Sequence, residues 1–174
     1  FFQDMIHSGL NAYLTLHLAQ VLLRSGDAGY LQLMDAVTSL ASPTGQWPEA
    51  IHPHTKGGCM GDGHHVWASA EWLMMLHHCF AREEGNKLIL CAGIPQRWLR
   101  PVASGSPAPV SLGPFFTQFG QLSVEIMPDG EAIEIRWQGQ WHQRTPDLEV
   151  ALPGFAPVQV TDGQTSLRLS RQKS

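Results

Sequence analysis

The chain has 174 residues, 43% of them hydrophobic and only 15% charged, with a formal net charge of -4. That is enough apolar material to build the core of one ordinary domain or two small ones. The sparse, slightly acidic charge with no Lys/Arg cluster excludes an electrostatic footprint for nucleic acid or an anionic membrane, and favours a neutral partner.

The three cysteines, Cys59, Cys79 and Cys91, lack zinc-ribbon or CxxC spacing, the pattern of reduced thiols in a cytoplasm-like compartment. No apolar run approaches the ~20 residues that span a bilayer, and no basic-then-apolar leader precedes the first helical pattern. The chain begins at Phe1 rather than Met, so a fragment or a processed product is expected.

Ile6, Leu10, Leu14, Leu18 and Val21/Leu22 recur at helical spacing and predict a first helix, from about residue 3 to Arg24. Ser25-Gly26-Asp27 closes it, and Tyr30, Met34, Val37 and Ala41 repeat the period in a second helix, antiparallel to the first because the turn is short. Ser42-Pro43-Thr44-Gly45 ends that helix. A loop follows that carries Trp47-Pro48-Glu49, His52-Pro53-His54, Cys59 and Gly61-Asp62-Gly63-His64-His65. Asp62 stands where an N-cap is expected, and Val66, Ala70, Leu73, His77 and Phe80 predict a third helix running to Gly85-Asn86. This helix is apolar nearly all round, so it expects other helices on several sides.

From Leu88 onward the period changes from helical to alternating. Gly93-Ile94-Pro95-Gln96-Arg97-Trp98-Leu99 leads into a Pro/Ser/Gly-rich linker at 101–109. Leu122, Val124 and Ile126, the turn Pro128-Asp129-Gly130, and Ile133, Ile135 and Trp137 spell a hairpin. Leu148/Val150/Leu152, Val158/Val160 and Leu167/Leu169 continue the alternation, as in a small antiparallel sandwich with one wet face. The expected fold class is therefore α+β by segregation: residues 1–86 helical, 87–114 strand and linker, and 115–174 a β-sandwich.

Three helices, one of them apolar on all sides, cannot bury each other and also leave a loop-lined cavity. More helices are expected from outside the chain. The ordered series Trp47-Pro48-Glu49, Gly63-His64-His65-Val66-Trp67-Ala68-Ser69-Ala70-Glu71-Trp72-Leu73, Gly93-Ile94-Pro95…Trp98, Thr117-Gln118-Phe119-Gly120 and Leu152-Pro153-Gly154 resembles the C-terminal end of six-hairpin (α/α)6-barrel glycoside hydrolases, the α-L-rhamnosidases most closely. Pro48 and the run His52-Pro53-His54-Thr55-Lys56 depart from that family's pattern.

The resemblance implies a carbohydrate substrate, a partial barrel completed by further helices, and a C-terminal β-sandwich. It also implies that Glu49 is the general base of an inverting hydrolysis. Such chemistry pairs an acid that protonates the leaving oxygen with a base, about 6.5–9.5 Å away, that activates water. The acid is expected elsewhere, because Asp4, Asp27 and Asp35 sit in or beside helical patterns with no loop constellation around them. The expected sugar-binding set around Glu49 is Trp47, His52, His54, His64, His65 and Trp67: aromatic rings supply flat apolar area, and neutral imidazole offers one donor and one acceptor to hydroxyls.

The spacing of His52, His54, Cys59, His64 and His65 matches none of the common zinc patterns, so neither metal nor cofactor is expected. Glu71, inside an apolar helix, is expected either to pair with a barrel neighbour or to lie on the one wet stripe. Self-association through uncovered helix faces is expected of the chain by itself. The competing reading is a non-catalytic carbohydrate-binding or structural module, in which Glu49 is a solvated loop carboxylate and Trp47 a packing residue.

Overall fold

In the computed structural model, residues 9–100 and 108–170 are described. Ile6, Asp4 and most of the expected linker lie outside the described residues. Three helices and ten strands occur among those described, and the helices all precede residue 81. That order agrees with the coarse α+β expectation. No described helix is long and apolar enough to cross a membrane. The chain divides between Leu76 and His77, inside the third helix, into two compact units.

In the first unit, Leu10 is not helical but bridges antiparallel to Ile51, with paired N–H···O bonds of 2.8 and 2.9 Å. The first helix therefore starts later than its apolar period suggests: α1 spans Ala12–Ser25. Asn11 caps it, its Oδ1 accepting from Leu14 N at 2.8 Å, as a short polar side chain does for an orphan N–H. Gly26, at φ 76°, closes it with its N–H turned back to Leu22 and Leu23.

The buried face of α1 is also not the expected one. Ala12, Tyr13, Leu16, Ala19 and Leu23 are buried, whereas Leu18 and Val21, which carried the predicted stripe, face out, Val21 at 62% exposure. The helix is apolar on two opposite sides, and periodicity alone selects the wrong one.

Asp27 Oδ1 accepts from Gly29 N at 2.8 Å and turns the chain into α2 (Tyr30–Ser39), which packs on α1 through Leu33, Met34 and Val37. The long loop after it is not irregular throughout. It holds a two-stranded antiparallel ribbon, β1 (Ala50–Ile51) with β2 (Gly58–Met60).

The third helix, α3, spans Val66–Phe80. Asp62 does not cap it, since Oδ1 accepts instead from His64 N at 3.1 Å. His65 carries the first helical acceptor, its carbonyl taking Ser69 N at 3.3 Å. Ala68, Glu71, Met75 and Cys79 form its buried face, and Val66, Leu73 and Met74 lie exposed on the opposite one.

In the second unit the helix ends at Phe80, and the next four residues are already a strand. β3 (Ala81–Glu84) and β4 (Lys87–Leu90) form a hairpin, so Gly85-Asn86 is its turn and not a helix stop. Ala81-Arg82-Glu83-Glu84 is helix-forming by propensity, which tertiary pairing overrides. A 3-10 turn, Gln96–Leu99, follows.

β5 (Val110–Thr117), β6 (Gly120–Asp129), β7 (Ala132–Trp141) and β10 (Ser166–Ser170) make one antiparallel sheet in the order β10-β7-β6-β5. Leu122, Val124 and Ile126 of β6 and Ile133, Ile135 and Trp137 of β7 are buried, as their alternation predicts. The turn between them is Gly130-Glu131, with Asp129 still paired to Ala132. The other sheet, β3-β4-β8-β9, adds β8 (Asp147–Val150) and β9 (Val158–Gln159). Here the all-antiparallel expectation fails: β4 and β8 run parallel, Leu88 beside Leu148 and Leu90 beside Val150. β4 is a nearly continuous apolar run, Leu88-Ile89-Leu90, the mark of a strand buried on both faces, whereas β8 alternates Asp147 and Glu149 with the buried Leu148 and Val150.

Candidate functional site

Glu49 sits immediately before β1, and its backbone is held from both directions. Asn11 Nδ2 donates to Glu49 O at 3.1 Å, so one buried side chain caps α1 and anchors the loop. Ala50 pairs with Met60 in the ribbon. Across that ribbon Gly61, at φ 68°, lies so close that a Cβ there would collide with the Glu49 side chain. Only glycine meets both demands at once. The Glu49 side chain itself is half-buried, and its carboxylate has no hydrogen-bonding or ion-pairing partner among the described residues.

The six expected sugar-binding side chains have different settings. Trp47 is core, 3% exposed, with Nε1 donating to Val37 O at 2.8 Å and its ring 5.7 Å from that of Trp72. Its ring faces are covered, and its only polar atom is committed. His52 shapes a turn, Nδ1 accepting from the backbone of His54 and Thr55 at 3.2 Å each, with the exposed His54 ring 5.8 Å away. His64 is exposed and lies 3.4 Å from Gln46 Nε2. An open groove of about 740 Å3 runs past Pro48, Gly57, Gly58 and Gly63, but neither Glu49 nor any of the six lines it. Among the described residues no group of three or more His, Cys, Asp or Glu side chains is gathered as a metal site.

His65 and Trp67 belong to a different cluster, built between α1 and the start of α3. Tyr13 stacks on Trp67 at 4.4 Å between centroids and lies 5.1 Å from His65. His65 Nε2 is buried without a hydrogen-bond partner among the described residues, a condition that costs about 1–3 kcal/mol and calls for an explanation.

At the base of the cluster is Glu71, 7% exposed. Its Oε1 accepts from His17 Nε2 at 2.8 Å and from Trp67 Nε1 at 3.1 Å, and its Oε2 accepts from Gln20 Nε2 at 2.7 Å. Burial raises the pKa of this carboxyl, but the hydrogen bonds from His17, Gln20 and Trp67 and the charge on His17 outweigh it, so the group sits below its ordinary value. Glu71 is therefore an ionised, fully occupied carboxylate that pins α3 to α1. Glu71 is paired with side chains of α1 and of α3 itself and does not lie on a wet stripe. The signal was present in the spacing: Trp67 and Glu71 are four apart, His17 and Gln20 three apart, so each pair shares one helix face.

No family model, no curated protein and no solved structure matches the chain.

Proposed function

We propose that the chain is the C-terminal part of a carbohydrate-active hydrolase of the six-hairpin type. In this reading α1, α2 and α3 are late helices of an (α/α)6 barrel whose other helices lie elsewhere in the protein, and the two four-stranded sheets form the β-sandwich that follows. The observation that carries the reading is the contrast between the carboxylates of Glu71 and Glu49. Glu71 is saturated with donors. Glu49 is held by its backbone while its side chain is left without a partner among the described residues. A general base must be positioned and uncommitted at the same time.

Glu49 takes a proton from water as the water oxygen bonds to the anomeric carbon. The bond from that carbon to the leaving oxygen breaks, and a carboxylic acid supplied by the rest of the barrel protonates the leaving group. The apolar outer faces of α1 and α3 support the further helices, since Val21 and Val66 are 62% and 79% exposed on sides opposite the buried ones.

The test is Glu49→Gln in the complete protein. Glutamine keeps the size of the side chain and cannot accept the proton, so kcat falls by about 10²–10⁴ while KM barely moves. Azide, which needs no base, restores turnover and gives a glycosyl azide of inverted configuration. A variant with near-normal kcat removes Glu49 from the mechanism and leaves the non-catalytic module as the reading of the chain.

A further inference from the structure

The strand-built unit has a cavity of its own, about 390 Å3, at one end of its sheets. That volume lies within the usual range for small-molecule pockets, about 300–1,000 Å3. Three connections make its wall: the β3–β4 turn, the β5–β6 turn and the segment between β7 and β8.

These connections are tied together by hydrogen bonds of their backbones and of the Glu83 and Gln118 side chains. Gln118 N donates to Glu83 Oε1 at 2.6 Å and Gln118 Nε2 to Gly85 O at 3.1 Å, joining the first two turns. His142 N donates to Phe119 O at 2.8 Å and Asp147 N to Asn86 O at 3.3 Å, joining the third segment to both. Within the β5–β6 turn, Thr117 Oγ1 accepts from Phe119 N at 3.2 Å and donates to Gly120 O at 2.8 Å, which fixes the backbone that carries the Phe119 ring.

The side chains on this frame are in the opposite condition. Asn86, His142, Gln143, Arg144 and Asp147 line the cavity, and no side-chain hydrogen bond or ion pair occupies any of them among the described residues. A rigid backbone bearing uncommitted polar groups is the arrangement of a preorganised site.

The chemistry of the lining selects the ligand class. Arg144 and Asp147 carry opposite charges, so the wall has no net charge to attract an ion. Asn86 and Gln143 each offer both donors and acceptors, and His142 adds its imidazole ring. Phe119 adds an apolar ring. Vicinal hydroxyls need donors and acceptors side by side, and a pyranose ring presents an apolar C–H face to an aromatic. We propose that this cavity binds a neutral saccharide unit, as a site separate from Glu49. The proposal stands on this unit alone and does not depend on whether Glu49 is catalytic.

Titration calorimetry of the full chain against methyl glycosides of glucose, galactose and rhamnose tests it, with glucuronate and inorganic phosphate as charged controls. Binding of at least one neutral glycoside is expected with Kd at or below about 10 mM, which corresponds to about −3 kcal/mol. Gln143→Ala and Asp147→Asn, both at exposed positions, should each weaken it at least about fivefold. Unchanged affinity in both pocket variants, tighter binding of glucuronate or phosphate than of any neutral glycoside, or no heat with any of them would overturn the proposal. Because the readout is binding in the strand-built unit, it can fail while Glu49→Gln still abolishes turnover, and the converse also holds.

Discussion

Replacing Glu71 by glutamine changes one atom and tests the network that joins α1 to α3. Glutamine retains one acceptor oxygen and puts an NH2 group where Oε2 or Oε1 accepted, so at least one of the three donors from His17, Gln20 and Trp67 meets another donor. A hydrogen bond to a charged group contributes about 1.5–3 kcal/mol. His17 is 42% exposed at its side chain, so it can turn to water when displaced, which places the expected loss near the lower figure, about 1–2 kcal/mol at pH 7. The folded-state pKa of Glu71 is depressed, so its contribution is fully present above the unfolded value of about 4.3 and is lost as pH falls through the folded value. Urea unfolding followed by tryptophan fluorescence should show wild type and variant separated at pH 7 and converging at strongly acid pH. Equal stability at pH 7, or a gap that persists once the carboxyl is protonated, would refute the network as an energetic link.

Other expectations follow from the same structure. The chain by itself should self-associate through Val66, Leu73 and Met74, and Val66→Lys with Leu73→Lys should return it to a monomer in sedimentation velocity; a monodisperse monomer without those changes would contradict this. His77 stacks on Phe115 at 4.8 Å, and burial pushes its pKa down. The stability it brings is complete above about pH 6.5 and is lost as pH falls through the lower folded value, so His77→Phe should flatten the stability profile over that acid window. Burial pushes the Cys79 thiol up to about 12 and Cys91 up as well, whereas Cys59 is exposed. Only Cys59 should react promptly with a thiol reagent in the folded protein, and labelling of Cys79 without unfolding would count against the packing around it.

Where one side of an element is wet and the other dry, its pattern was legible. The β6–β7 hairpin alternates Leu122/Val124/Ile126 and Ile133/Ile135/Trp137 in register with its burial. Where both sides are apolar the pattern misleads. On α1 the stripe through Leu14, Leu18 and Val21 is as regular as the buried one through Tyr13, Leu16, Ala19 and Leu23. β3 was hidden because its residues favour a helix, and the β4–β8 pairing because the partners are sixty residues apart, Lys87 beside Asp147. For the candidate site, the motif order singles out Glu49, but sequence could not tell that Trp47 two residues before it turns inward to Val37 while His65 and Trp67 join Tyr13.

The two faces of α1 and α3 bear on why Glu71 is wired so heavily. An ionised carboxylate between two helices is costly to desolvate and rarely adds stability beyond what an apolar pair of similar volume gives, but it fixes orientation, because its donors must come from set directions. Here Trp67 is held by Glu71 on one edge and by Tyr13 on its ring face. That leaves the ring half exposed at the mouth of the cluster, beside the Nε2 of His65, which has no hydrogen-bond partner among the described residues. The same bonds set the rotation of α1 and α3 about their own axes, so that Leu18 and Val21 on one helix and Val66, Leu73 and Met74 on the other are presented outward. If the outer faces are where further barrel helices dock, loosening the Glu71 network should disturb assembly of the complete protein before it disturbs folding of this segment. Glu71→Gln in the complete protein should therefore lower the yield of assembled protein by more than its effect of about 1–2 kcal/mol on the segment predicts. Unaltered assembly together with the full loss of segment stability would show that the network serves only the local fold.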